Sequence, residues 1–107
     1  MKKEPNFWKS SGVKMPYENI LTHLIKYTDR NNFGNGDIHK LVKACELDEV
    51  SPTDENLKNI VNYFDELGFI TVLDWEEFNY NGCFPYYINF EPMYYFINET
   101  DRLSGGK

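Results

Sequence analysis

Apolar residues recur every three or four positions through the first two-thirds of the chain and change to alternation in the last third. Ile20, Leu21, Leu24, Ile25 and Thr28 repeat at helical spacing, with His23, Lys26 and Arg30 largely off that stripe. The spacing predicts a first helix over 17–30. Asn31-Asn32-Phe33-Gly34-Asn35-Gly36 follows and reads as a breaker-rich connection. A second helix is expected from about Asp37, a capping residue type, to Leu47. Its apolar stripe is Ile38, Leu41, Val42 and Cys45, with Ala44 at its border. After a turn at 48–52, Ser51 or Thr53 caps a third helix reaching Leu67, with Leu57, Ile60, Val61, Phe64 and Leu67 on one side. Gly68 stands where the chain leaves such a helix with positive φ, and Phe69 and Ile70 begin a strand.

Beyond that point the pattern reads as β. Asn81-Gly82 is the strongest short hairpin signal in the chain. With those two residues as the loop, Leu73 faces Phe90, Trp75 faces Ile88 and Glu77 faces Tyr86, all on one face with Phe84. The other face pairs Asp74 with Asn89, Glu76 with Tyr87, and Phe78 with Pro85. Pro85 has no N–H, so its strand is expected at an edge. Residues 92–97 are apolar and fit either a short helix begun by Pro92 or a final strand. Residues 1–16 form a basic arm, broken by Pro5, Gly12 and Pro16, whose Phe7 and Trp8 either anchor it to the domain or leave it loose. The domain proper is expected over 17–100 and a frayed tail over 101–107.

Three helices followed by a hairpin with an Asn-Gly tip resemble a winged helix-turn-helix domain. The likeness covers about residues 17–90. It is sharpest in SPTDENLKNIVNYFDELGFI at 51–70, which resembles the third helix leading into the wing; GDIHKLVKACEL at 36–47 resembles the preceding helix. The resemblance implies an α+β winged-helix fold, a third helix that enters a DNA major groove, and a wing that touches phosphate.

Charge alters that picture. The chain has 107 residues and a net charge of −6. Residues 1–45 carry eight Lys/Arg against four Asp/Glu, whereas 46–107 carry three against thirteen. Lys58, Asn59 and Asn62 lie on the outward face of the third helix, and each asparagine could hold an adenine edge. Yet that face holds a single lysine, the expected wing carries Asp74, Glu76 and Glu77, and no Lys or Arg occurs between 59 and 101. Phosphate binding needs cations at these places. The same acidic segment is rich in aromatic residues, a type favoured at protein interfaces. Asp74, Glu76, Phe78, Tyr80 and Tyr87 are therefore the candidate protein-binding residues, while Trp75 is expected in the core. The basic arm and first two helices read as a hydrated surface, a nucleic-acid contact, or a docking site for another copy's acidic wing, which is compatible with a homodimer.

Catalytic and cofactor chemistry finds no foothold. His23 and His39 lack a metal-ligand partner at i+3 or i+4, and Cys45 and Cys83 share no CxxC spacing. No calcium loop or glycine-rich phosphate loop is present. No apolar run approaches the roughly 18–20 residues of a membrane span. The opening MKKEPNFWKSSG has lysines but no apolar stretch after them, so no secretory signal is expected, and a reduced cytoplasmic setting follows. Asn98-Glu99-Thr100 then reads as a chance sequon. Abundant Asn, Lys, Tyr, Phe and Ile suggest an AT-rich coding sequence, as in a low-GC bacterium, its phages or mobile elements. The expectation is a small non-enzymatic regulator or inhibitor that binds protein, one target being a nucleic-acid-handling enzyme. The alternative is a DNA-binding transcription regulator.

Overall fold

A computed structural model describes the backbone of residues 5–105 and the side chains of residues 5–100. Helix α1 (Glu18–Lys26) is followed by strand β1 (Phe33–Asp37), a 3-10 turn (Ile38–Lys40), α2 (Val42–Leu47) and α3 (Asp54–Leu67). Strand β2 (Ile70–Val72), helix α4 (Trp75–Asn81), strand β3 (Cys83–Ile88) and helix α5 (Phe90–Gly105) complete the chain. Among the described residues the fold is α+β, with five α-helices and one antiparallel sheet ordered β1-β3-β2. No helix among the described residues is long and apolar enough to cross a membrane.

The helical stripes do what their spacing implies. Ile20, Leu21, Leu24 and Ile25 of α1 and Leu57, Ile60, Val61 and Phe64 of α3 are all buried in one core. Thr53 caps α3 by accepting from Asn56 N–H at 3.1 Å, and Gly68 leaves it at φ 83°. Helix α1 ends at Lys26 rather than 30. Tyr17, the residue before it, offers no side-chain cap. Its exposed donors are satisfied from a distance instead: the Asp48 carboxylate accepts from the N–H groups of Asn19 (3.1 Å) and Ile20 (2.9 Å). A carboxylate at a helix N-terminus is also favoured by the helix dipole. The second helix begins differently from expectation. Asp37 does cap, accepting from His39 N–H at 2.9 Å, but what it caps is the 3-10 turn. Three residues per turn shift the phase of the stripe, so Ile38, Leu41, Ala44 and Cys45 are buried while Val42 points out.

Two corrections concern the sheet. The expected connection at 31–36 is largely taken up by β1, which runs on to Asp37 and whose Gly34 and Gly36 lie opposite Tyr86 and Phe84 of β3. These glycines serve close approach rather than turning. A Cβ on Gly36 would sit 2.2 Å from Phe84 Cζ, and one on Gly34 would sit 2.8 Å from the Tyr86 hydroxyl. Rings from the central strand fill the space that β1 side chains would occupy. Tyr86 reaches across to donate its hydroxyl to the Leu24 carbonyl of α1.

The hairpin at Asn81-Gly82 is absent. Trp75–Asn81 is helical, so the 73–90 register does not form; β3 pairs instead with β1 and β2, matching Ile70 to Ile88 and Val72 to Tyr86. Asp74 caps α4 by accepting from Glu77 N–H at 2.9 Å, and Gly82 ends it at φ 79°. A glycine with positive φ suits a helix end as well as a hairpin loop. Pro85 therefore lies in the central strand, contrary to expectation. Its missing donor falls where β2 has already ended: Leu73, just past that strand, donates its N–H to the Pro85 carbonyl at 2.9 Å. The alternation along β3 holds, with Phe84, Tyr86 and Ile88 inward and Tyr87 outward.

The remaining open choices resolve by packing. Residues 92–97 belong to α5, with Pro92 in its first turn, where an N–H is not required. Met93 and Ile97 are its buried contacts. The helix carries the backbone of 101–105, placed above in a tail. Within the arm, Trp8 is fully buried and donates Nε1–H to Glu18 at 3.2 Å, while Phe7 meets Phe90 and Tyr94 edge-on. The arm is thus anchored to α1 and α5 from residue 7 onward. Its first lysines, Lys2 and Lys3, lie outside the described residues.

Candidate functional site

Helix α4 takes the place expected for the wing, and its cap and glycine fix how it presents side chains. Glu76 and Tyr80 lie one turn apart on its exposed side, and Tyr80 is 90% exposed. Asp74 stands at its N-terminus, exposed, with its carboxylate held on Glu77 N–H. Phe78 does not belong to this surface. Helical spacing turns it inward, where it is fully buried against Phe84 (4.6 Å between ring centres) and Trp75 (5.4 Å). In a strand it would have projected with Glu76; in a helix, Glu76 and Phe78 face apart. Trp75 itself is half-buried against the core. Tyr87 is on a separate surface, the outer face of the sheet. There it is 41% exposed and packs on Phe33 at 5.2 Å, in line with Thr71 across β3. The five candidates therefore divide into an α4 group (Asp74, Glu76, Tyr80), a sheet-face residue (Tyr87) and a core residue (Phe78).

The three residues of the nucleic-acid reading sit on α3. Lys58 lies across α4: its Nζ donates to the Asn79 carbonyl at 3.1 Å and sits 5.8 Å from the centre of the Phe78 ring. Asn62 is exposed and donates to Glu66 at 3.2 Å. Asn59 is exposed on the rim of a notch of about 380 Å³ formed with Pro16, Tyr17, Ile60 and Tyr63. Tyr17 and Tyr63 are the notable residues that sequence reasoning passed over. Tyr63 had a signal, standing four residues after Asn59 on the same helix face. Tyr17 had none, because its place depends on a left-handed backbone (φ 47°, ψ 53°). That conformation costs a bulky residue about 1–2 kcal/mol. It carries the ring over α3, 6.1 Å from Tyr63 and 6.3 Å from Phe64.

A larger hollow than this notch lies elsewhere, in the basic half. It measures about 940 Å³ and runs between the end of α1, the β1 edge and the 3-10 turn, with Leu24, Leu41 and Tyr86 among its lining and His23, Tyr27 and Lys40 contributing polar atoms. Burial lowers the His23 pKa, and Lys26 and Lys40 lower it further by repulsion. The imidazole is thereby held neutral rather than poised as a cationic anchor. Burial also pushes the Tyr86 hydroxyl up, consistent with a proton committed to Leu24. Burial, then Asp48, raises the Cys45 thiol, which makes it a poor nucleophile. Among the described residues no three His, Cys, Asp or Glu side chains cluster as a metal would require. No protein-family model, curated protein or solved structure matches this chain.

Proposed function

We propose that this is a non-enzymatic protein-binding regulator or inhibitor acting through the acidic, tyrosine-bearing surface of α3 and α4. Its fold is read as a winged-helix arrangement in which α4 replaces the tip of the wing. One observation carries the functional reading. Lys58 is the only Lys or Arg from 54 to 101, and its ammonium is spent on the Asn79 carbonyl. On α4, Glu76 and Glu77 lie one turn before the exposed Tyr80, and Asp74 caps the helix. A surface of this kind repels phosphate and attracts a basic partner, which makes the nucleic-acid groove of another protein a fitting target. The reading does not require a cofactor.

Tagged protein incubated with extract of the source cell should retain a partner, and duplex DNA should release that partner in competition. Glu76→Lys with Tyr80→Ala should abolish retention while leaving the circular dichroism spectrum unchanged, since both side chains are exposed. Retention by that double variant would reject the surface. The second reading, a DNA-binding regulator, draws on the exposed Asn59 and Asn62 of α3. It requires a gel shift at about 50 mM salt, where the electrostatic contribution is strong.

A further inference from the structure

We infer that the notch between Tyr17 and Tyr63 receives an arginine side chain of a basic protein partner. The inference rests on the acidic-surface reading above and gives that surface a specific anchor. The two tyrosine rings stand 6.1 Å apart at 89°, so they form two perpendicular walls. Pro16 and the buried Ile60 complete an apolar floor, and Asn59 supplies a polar rim. The rings are 38% and 40% exposed, so neither is covered by the rest of the fold. Among the described residues, none hydrogen-bonds to either phenol hydroxyl or to the Asn59 side chain.

This set of groups fits a guanidinium. One ring face offers stacking, while the Asn59 carbonyl oxygen and the tyrosine hydroxyls accept from its fan of N–H donors. Helical spacing places Glu55 one turn before Asn59, and Glu66 one turn after Tyr63, on the same face of α3. The notch therefore sits within a line of acids. The nearby lysine does not compete, because Lys58 is drawn away to α4. A nucleobase could stack on the same walls, but its phosphates would face Glu55 and Glu66. A lysine of equal charge lacks the planar fork and is more strongly hydrated, so it should fit less well.

The test uses the whole chain and two synthetic probes of equal charge, (Gly-Arg)4 and (Gly-Lys)4. Binding is followed by the NMR signals of the Tyr17 and Tyr63 rings and the Asn59 side-chain amide. The arginine probe should bind about five- to tenfold more tightly than the lysine probe. Tyr63→Phe should keep most of that preference, and Tyr63→Ala and Asn59→Ala should each reduce it. Equal affinity for the two probes overturns the inference, as does a preference unchanged in Tyr63→Ala. Equal affinity with shifts confined to α4 would overturn the notch while leaving the acidic surface standing. A decathymidine strand that shifts the notch signals more strongly than the arginine probe would overturn it in favour of nucleic acid. Absence of binding by either probe overturns it as well.

Discussion

Replacing Gly36 with alanine adds one methyl group at the tightest point of the sheet. The new Cβ would lie 2.2, 2.5 and 2.6 Å from three atoms of the Phe84 ring, distances that real contacts do not show. Phe84 is 1% exposed and held by Phe78 at 4.6 Å and Tyr86 at 5.4 Å, so the ring has little room to retreat. Overpacking of this kind costs about 1–3 kcal/mol. Displacing the ring also weakens two aromatic contacts worth roughly 0.5–1.5 kcal/mol each. Against this, alanine narrows the unfolded ensemble and returns about 0.4–1 kcal/mol. The expected net loss is about 2 kcal/mol or more. Urea unfolding, followed by tryptophan fluorescence and circular dichroism, should show a midpoint lowered by about 1 M for a slope near 2 kcal/mol/M. Phe84→Leu makes room for the methyl group, so the double variant should lose less than the two single losses combined, by about 1 kcal/mol. A Gly36→Ala protein within about 0.5 kcal/mol of the parent, or strict additivity with Phe84→Leu, would refute the role assigned to this glycine.

Asp74→Ala removes the cap of α4 and should cost about 1 kcal/mol in urea unfolding, while Asp74→Asn should recover most of it; equal losses would show that the capping bond to Glu77 N–H contributes little. The His23 pKa is lower in the folded protein than in the unfolded chain, so the unfolded state takes up the proton first as pH falls. His23 therefore leaves stability undiminished well above pH 6.5 and subtracts from it as pH falls through that value. The slope should stay below the limiting ~1.4 kcal/mol per pH unit because the side chain is only half-buried. His23→Gln should flatten the stability profile between pH 7 and 5, and an unchanged profile would contradict the assignment.

The parts of the fold legible in the sequence are those where one local rule suffices. Helix α3 shows its cap at Thr53, its stripe and its terminal Gly68, and all three act as their residue types imply. The alternation from Cys83 to Ile88 likewise identified which side faces the core. The misreadings come from residues with two meanings. Gly34 and Gly36 look like turn residues, yet their use depends on rings fifty positions away. Asn81-Gly82 suits a hairpin loop, but Asp74 followed by Glu77 and a glycine at 82 equally describes a capped helix. That second meaning governed the candidate site, since a helix turns Phe78 into the core while leaving Tyr80 outside. The Tyr17 ring over α3 and the Asp48 carboxylate on α1 are long-range arrangements, with no periodicity to announce them.

The central position of β3 has a consequence for the order in which the protein acquires its shape. The middle strand of the sheet is the last to leave the ribosome: Phe33 of β1 waits for Tyr87, and Ile70 of β2 waits for Ile88. Until β3 arrives, neither outer strand has a neighbour, and Leu24 lacks the Tyr86 hydroxyl that links sheet to helix. Helices α1 and α3 can form from local contacts in the meantime, whereas the long loop-closure cost of β1–β3 pairing must be met in one late step. A chain cut before Cys83 would thus keep helical segments with no sheet to organise them, and the native structure becomes available only once synthesis has passed Ile88.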